Sequence, residues 1–232
     1  MNKSTILEVI VTSLQDAIEA AAGGADRLEV VRDLGHGGLT PDLALVRAIA
    51  EAVDIPLRVM VRENPSMQLA GAAELDILCQ QAAEFNSLCL DGLVAGFIAN
   101  DEVDLATLWA ITEAAPQMKI TFHRAFDALT DPLNAIRTLK TVPQVDRILT
   151  TGETGGHSDP WSERKLRLQY WQNCAAPEIT ILAGAGMVPA VINDLRNDER
   201  IFEMHVGRAA RIPQEIDGRV SRVQVAKLKG LS

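Results

Sequence analysis

The chain has 232 residues, 47% of them hydrophobic, and a formal net charge of −9. That length suits one α/β barrel domain over residues 1–232 better than two average domains. The acidic balance argues against a nucleic-acid or anionic-membrane partner, and no apolar run approaches the ~20 residues that span a bilayer.

Strand-like and helix-like segments alternate from end to end. Thr5–Val11 is short and β-branched, and Ser13 is placed to cap an Ala-rich helix, LQDAIEAAA, that Gly23 and Gly24 stop. Arg27–Val31 reads as a second strand. Gly35–Pro41 reads as a loop in which Thr40 caps the next helix and Pro41 takes its first position. Pro56 breaks into strand three, LRVMVR; Asn64 and Pro65 then lead to a helix over Ala70–Phe85. Strand four falls at Leu90–Ile98, a helix at Leu105–Ala114 and strand five in KITFHRAF. Pro132 opens a helix, DRILTT is strand six, and a glycine-rich loop, GETGGHSDP, precedes a helix over Ser162–Trp171. Strand seven, ITILAGAG, the helix VPAVINDLRN, strand eight, IFEMHVG, and a basic helical tail complete the chain. Eight βα units without a linker, and without GxGxxG after the first strand, predict a closed (β/α)8 TIM barrel rather than an open sheet.

The N-terminus enters a strand directly, with no apolar region and cleavage site before it, so a cytoplasmic protein is expected. Cys79, Cys89 and Cys174 form no CxxC and read as buried, reduced thiols.

Barrel strands must turn an apolar face to the helices, and this assigns the other face to the interior. With Leu7 and Val9 outward, Glu8 and Ile10 point in. With Leu28 and Val30 outward, Glu29 and Val31 point in. The same rule turns Arg58, Met60 and Arg62, then Thr121 and His123, then Glu203 and His205 inward. Buried charges are costly unless paired, so the set is an ion-pair network, a site, or both. Arg58 starts its strand and reads as structural. Glu8, Glu29, His123 and His205 are the candidate catalytic residues, expected to share one pocket at the carboxyl end with Arg62 and Arg124 at its mouth. Arg124 either bridges to Asp127 or contacts an anionic substrate. Gly184, Gly186, Gly207 and Arg208 follow strands seven and eight, where barrels often hold phosphate on backbone amides, although glycine also ends strands for steric reasons alone. No lysine ends a strand, which disfavours a Schiff-base aldolase, and HExxH is absent. Two Glu and two His suit acid–base chemistry or a borderline divalent metal.

LEVIVTS, GGADRLEV, GGLTP, DGLVAGFI, ITFHRAFD, RILTTG, LAGAG and the strand-eight ExH occur in that order along nearly the whole chain. Together they resemble the CutC copper homeostasis family. The resemblance implies one TIM barrel, a cytoplasmic location and a role in copper handling. Members often carry cysteines, proposed to hold Cu(I), where this chain has Ile10 and Val31. Further departures are His36 for the Glu before GGLTP, Arg62-Glu63-Asn64-Pro65 for an Arg-Pro-Arg-Gly-Gly run, and Val206 and Gly207 for serines. Cu(I) is therefore disfavoured, and the identity of any metal stays open. Three functions compete: a metal-binding copper-homeostasis protein, a lyase, isomerase or hydrolase acting on a small anionic or sugar-like metabolite, and a non-catalytic barrel. The expected partner is a small molecule or metal ion, and the reading allows a homodimer.

Overall fold

A computed structural model of the chain describes residues 5–153 and 159–230. The eight barrel strands are β1 (Ile6–Val11), β2 (Arg27–Val30), β3 (Leu57–Met60), β4 (Gly92–Ala95), β5 (Lys119–Phe122), β6 (Val145–Thr150), β7 (Thr180–Ala183) and β8 (Glu203–Val206). All neighbours are parallel, and β8 pairs with β1 to close the barrel. The helices are α1 (Leu14–Ala22), α2 (Leu43–Ala52), α3 (Ala72–Asn86), α4 (Leu105–Ala114), α5 (Pro132–Leu139), α6 (Trp161–Ala175), α7 (Pro189–Arg196) and α8 (Arg222–Lys229).

The main core lies between strands and helices. It takes Leu7, Val9, Leu28, Val30, Leu57, Val59, Ile120, Phe122, Met204 and Val206, the residues the alternation rule turns outward. A separate interior cluster holds Ile10, Val31, Met60 and Val94, with Leu34 packed against it. Each of these stands two residues beyond Glu8, Glu29, Arg58 or Gly92, so an apolar layer covers the β1–β4 side of the barrel above its charged residues.

Local signals fix some helix starts. Ser13 accepts a hydrogen bond from the Asp16 N–H at 3.1 Å, and Asp131 accepts one from Asn134 at 2.9 Å ahead of Pro132. The start of α2 differs from expectation. Asp42 is its N-cap, and Thr40 bonds to the Arg62 backbone instead, accepting from N–H at 2.9 Å and donating to the carbonyl at 3.0 Å. A hydroxyl that can pair with two backbone groups of the next strand's end is satisfied there and has no need of the helix.

β4 stops at Ala95, and Ile98–Ala99 forms a small hairpin with Glu102–Val103. β5 stops at Phe122, and Arg124–Ala128 coils into a 3₁₀ turn, because the His123 side chain accepts from the Ala125 N–H. A second hairpin, Arg211–Ile212 with Arg219–Val220, precedes α8. The loop after β6 lies partly outside the described residues, at 154–158.

Candidate functional site

His205 is held between two carboxylates. Its Nδ1 lies 2.8 Å from Glu8 Oε1 and its Nε2 lies 3.3 Å from Glu29 Oε2. Register explains the meeting: Glu8 is opposite His205 across the β1–β8 seam, and Glu29 is opposite Ile10 on the other side of β1. The carboxylates are closed off at 1% and 2% exposure, while the His205 side chain keeps 11%. The inward column of β8 ends above His205 in Gly207, which has no side chain, whereas Ile10 and Val31 cap the columns of Glu8 and Glu29. The triad therefore sits one layer below the mouth rather than at it.

Burial alone would raise the Glu8 carboxyl, but Arg27 and His205 outweigh it and hold the group well below the usual carboxylate range. Glu29 has no such cation bonded to it, and burial pushes it up to about 7. Burial would lower the His205 imidazole, yet Glu29 and Glu8 together raise it.

Behind Glu8 runs an alternating chain of charges. Arg27 bonds to Glu8 and donates to Glu203 at 2.7 Å. Arg147 donates to Glu203 at 2.7 and 3.1 Å and to Asp146 at 2.5 Å. Arg58 donates to Asp146 at 2.8 and 3.0 Å and to Asp91 at 2.5 Å. Arg58 is thus structural, at the amino-terminal end, as its place in the strand predicts. Arg27 and Arg147 are partners that the sequence reading missed. Arg27 shares the parity of Glu29 and was legible. Arg147 shares its parity with Leu149, which blurs the alternation of β6.

His123 does not join the triad. β5 lies four strands from β1 in either direction around the barrel. His123 Nδ1 accepts from the Ala125 N–H at 3.0 Å, which leaves the proton on Nε2, and that buried atom has no partner among the described residues. Burial first, then the charge of Arg62 and of Arg124, pushes this imidazole down to about 3.

Arg62 is a buried clamp rather than a side chain at the rim. It donates to the carbonyls of Asn64 (3.0 Å), Gly38 (3.4 Å), Gly37 (3.5 Å) and Pro65, tying the loops after β2 and β3 together. Gly37 and Gly38 turn those carbonyls with φ of 83° and 90°, which explains the paired glycines of GGLTP.

Arg124 bridges to Asp127 at 3.0 Å with half its side chain exposed. Gly184 packs where a Cβ would lie 2.6 Å from Leu149, and Gly186 has φ +64°. The carbonyls of Gly184 and Ala185 accept from Arg164 at 3.5 and 3.0 Å. Arg208 is exposed in the turn after Gly207.

The thiols are not buried as expected: Cys79 in α3 and Cys174 are half-buried, and Cys89, just before β4, is exposed. Cys174 lies inside α6, which runs four residues past the expected end at Trp171. None of the three faces the barrel interior. No helix among the described residues is long and apolar enough to cross a membrane.

The model of the CutC family matches residues 5–210. A family protein CutC from Histophilus somni is 31% identical over 201 residues, which cover 86% of this chain and 81% of that protein. The human copper homeostasis protein cutC homolog is 33% identical over 199 residues, 85% of this chain and 69% of its own length. The crystal structure of the putative copper homeostasis protein CutC from Streptococcus agalactiae superposes with a TM-score of 0.79 at 22% identity, covering 88% of this chain and 98% of that one, and shares its fold.

Proposed function

The chain belongs to the CutC family, and from that premise we propose that its barrel carries an acid–base centre for a small polar metabolite, with Glu29 and His205 exchanging the proton. One observation carries this reading: His205 Nε2 lies 3.3 Å from a buried carboxyl oxygen that has no hydrogen-bond partner, while Nδ1 is fixed on Glu8. With Nδ1 committed, proton uptake and release fall to Nε2, and a Glu29 carboxyl titrating near neutrality matches it. Substrate approaches past Gly207, where the inward column of β8 carries no side chain. The three free thiols agree with work in the cytosol.

Cu(I) fits these residues poorly. Soft ions select thiolate and thioether sulfur, and the interior cluster beside the triad offers one thioether, Met60, among Ile10, Val31 and Val94. A second reading rests on the same geometry. Donor atoms of Glu8, Glu29 and His205 lie within 4.8 Å of one another, a carboxylate–imidazole set suited to a borderline divalent ion such as Cu(II) or Zn(II).

Two measurements decide between these readings. Under the first, ¹⁵N NMR of metal-free protein gives His205 a pKa above 6.5 that falls in Glu29→Gln, and calorimetry with Cu(II) or Zn(II) gives no stoichiometric complex. Stoichiometric, His205-dependent metal uptake would instead establish the second. An ordinary His205 pKa with no metal uptake would sink both.

A further inference from the structure

The side of the barrel opposite Glu8 holds a buried donor, the His123 Nε2–H, that has no acceptor among the described residues. Ladder bonds from Val61 N–H to the Val94 carbonyl (2.9 Å) and from His123 N–H to the Ala95 carbonyl (3.2 Å) continue the sheet past the ends of β3, β4 and β5. They set Arg62, Gly96 and His123 side by side on three consecutive strands. Gly96 has no side chain, and the His123 ring lies over it, where a Cβ would come 2.6 Å from Nδ1. The imidazole thus leans across Gly96 toward Arg62. Its Nδ1 is committed to the Ala125 N–H, so Nε2 presents a proton with nothing to receive it at 3% residue exposure.

Among the described residues no neighbour accepts from Nε2. Thr121, the inward residue one pleat back on β5, has an unpartnered hydroxyl of its own and is flanked by Val94 and Arg147, while Gly96 and Leu149 flank His123. Arg62 is buried at 4% exposure, and among the described residues it bonds to backbone carbonyls and to no carboxylate. Arg124, whose Nε is taken by Asp127, adds a second guanidinium close enough to act on the imidazole. A buried donor without an acceptor and a buried cation without an anion are each costly, and one oxyanion relieves both.

We propose that the His123 Nε2–H, with Arg62 beside it across Gly96 and Arg124 at the rim, binds one oxyanion group of a small carboxylated or phosphorylated metabolite. Nε2 is closed to solvent in this structure, so the anion enters when the loops clamped on Arg62 part. The proposal deepens the acid–base reading by naming the substrate's charged end, placed across the barrel from Glu29 and His205, but the subsite binds whether or not that pair transfers a proton.

The test is histidine side-chain ¹⁵N NMR on the full chain, titrated with inorganic phosphate and separately with oxalate at matched ionic strength. The expected result is a saturable shift of the His123 Nε2–H resonance with one or both anions; the one that acts identifies the phosphoryl or carboxylate source. Arg62→Met should weaken binding at least tenfold. If that variant fails to fold, Arg124→Gln, at an exposed position, should weaken it several-fold. Glu29→Gln should leave the His123 shift intact, which separates failure of the subsite from failure of the acid–base centre. A His123 resonance unmoved by either anion at tens of millimolar, or shifts confined to other histidines, would overturn the proposal.

Discussion

Between pH 6.5 and about 3, the unfolded chain holds a proton on His123 that the folded barrel refuses. The unfolded state binds more protons throughout that window, so stability falls as pH drops through it, by a few kcal/mol at roughly 1.4 kcal/mol per unit. His123→Gln keeps an acceptor for the Ala125 N–H and removes the titration. Its stability should decline less steeply with acid than the parent's in denaturant melts across the window; parallel acid limbs would contradict the assignment. The inward turn of His123 was legible from Ile120 and Phe122, which face the helices. Its separation from His205 was not, since strand parity carries no information on how far apart two strands stand around the circle.

Among the elements, the turn Arg124–Ala128 joins neighbouring strands through one side chain. Asp127 accepts from the Thr150 hydroxyl at 2.5 Å, the Thr151 N–H at 3.1 Å and Arg124 at 3.0 Å, pinning the end of β5 to the end of β6. Asp127→Ala leaves the Thr151 N–H and the proton of the buried Thr150 hydroxyl without an acceptor, and should cost about 2–4 kcal/mol in chemical denaturation. Arg124→Ala breaks only an exposed pair and should cost under about 1 kcal/mol; equal losses would show that Asp127 acts through Arg124 alone. Ser13 was readable as a cap because nothing else competes for its oxygen. Thr40 was misread because its competitor, the Arg62 backbone, is 22 residues away in sequence. The two short hairpins escaped notice because two-residue strands carry no periodicity.

Across the whole molecule, the run of eight βα units made the barrel legible, and the alternation rule found its inward charges apart from Arg27 and Arg147, because a strand buried on both sides tolerates polar residues only where the interior can pair them. Glu203 shows what the pairing is worth. It holds Arg27 and Arg147 at once, and both are largely buried. Glu203→Ala should cost about 3–5 kcal/mol, with little dependence on salt because the pair is screened by protein rather than by ions. A loss below about 1 kcal/mol in a urea titration would show that water replaces the carboxylate at the amino-terminal end.

The same charges bear on how the barrel closes. In the native seam Glu8 lies opposite His205, and Ile6 lies opposite Glu203. A slip of one residue between β1 and β8 turns every side chain to the wrong face and is rejected by hydrophobicity. A slip of two keeps all faces correct, and hydrophobicity is blind to it. That slip can set Glu8 directly against Glu203, two carboxylates in a dry interior, with Arg27 unable to serve both from one position. The interior charges thus proofread the register of the seam that closes the barrel, a task that an all-aliphatic barrel lining would leave undone.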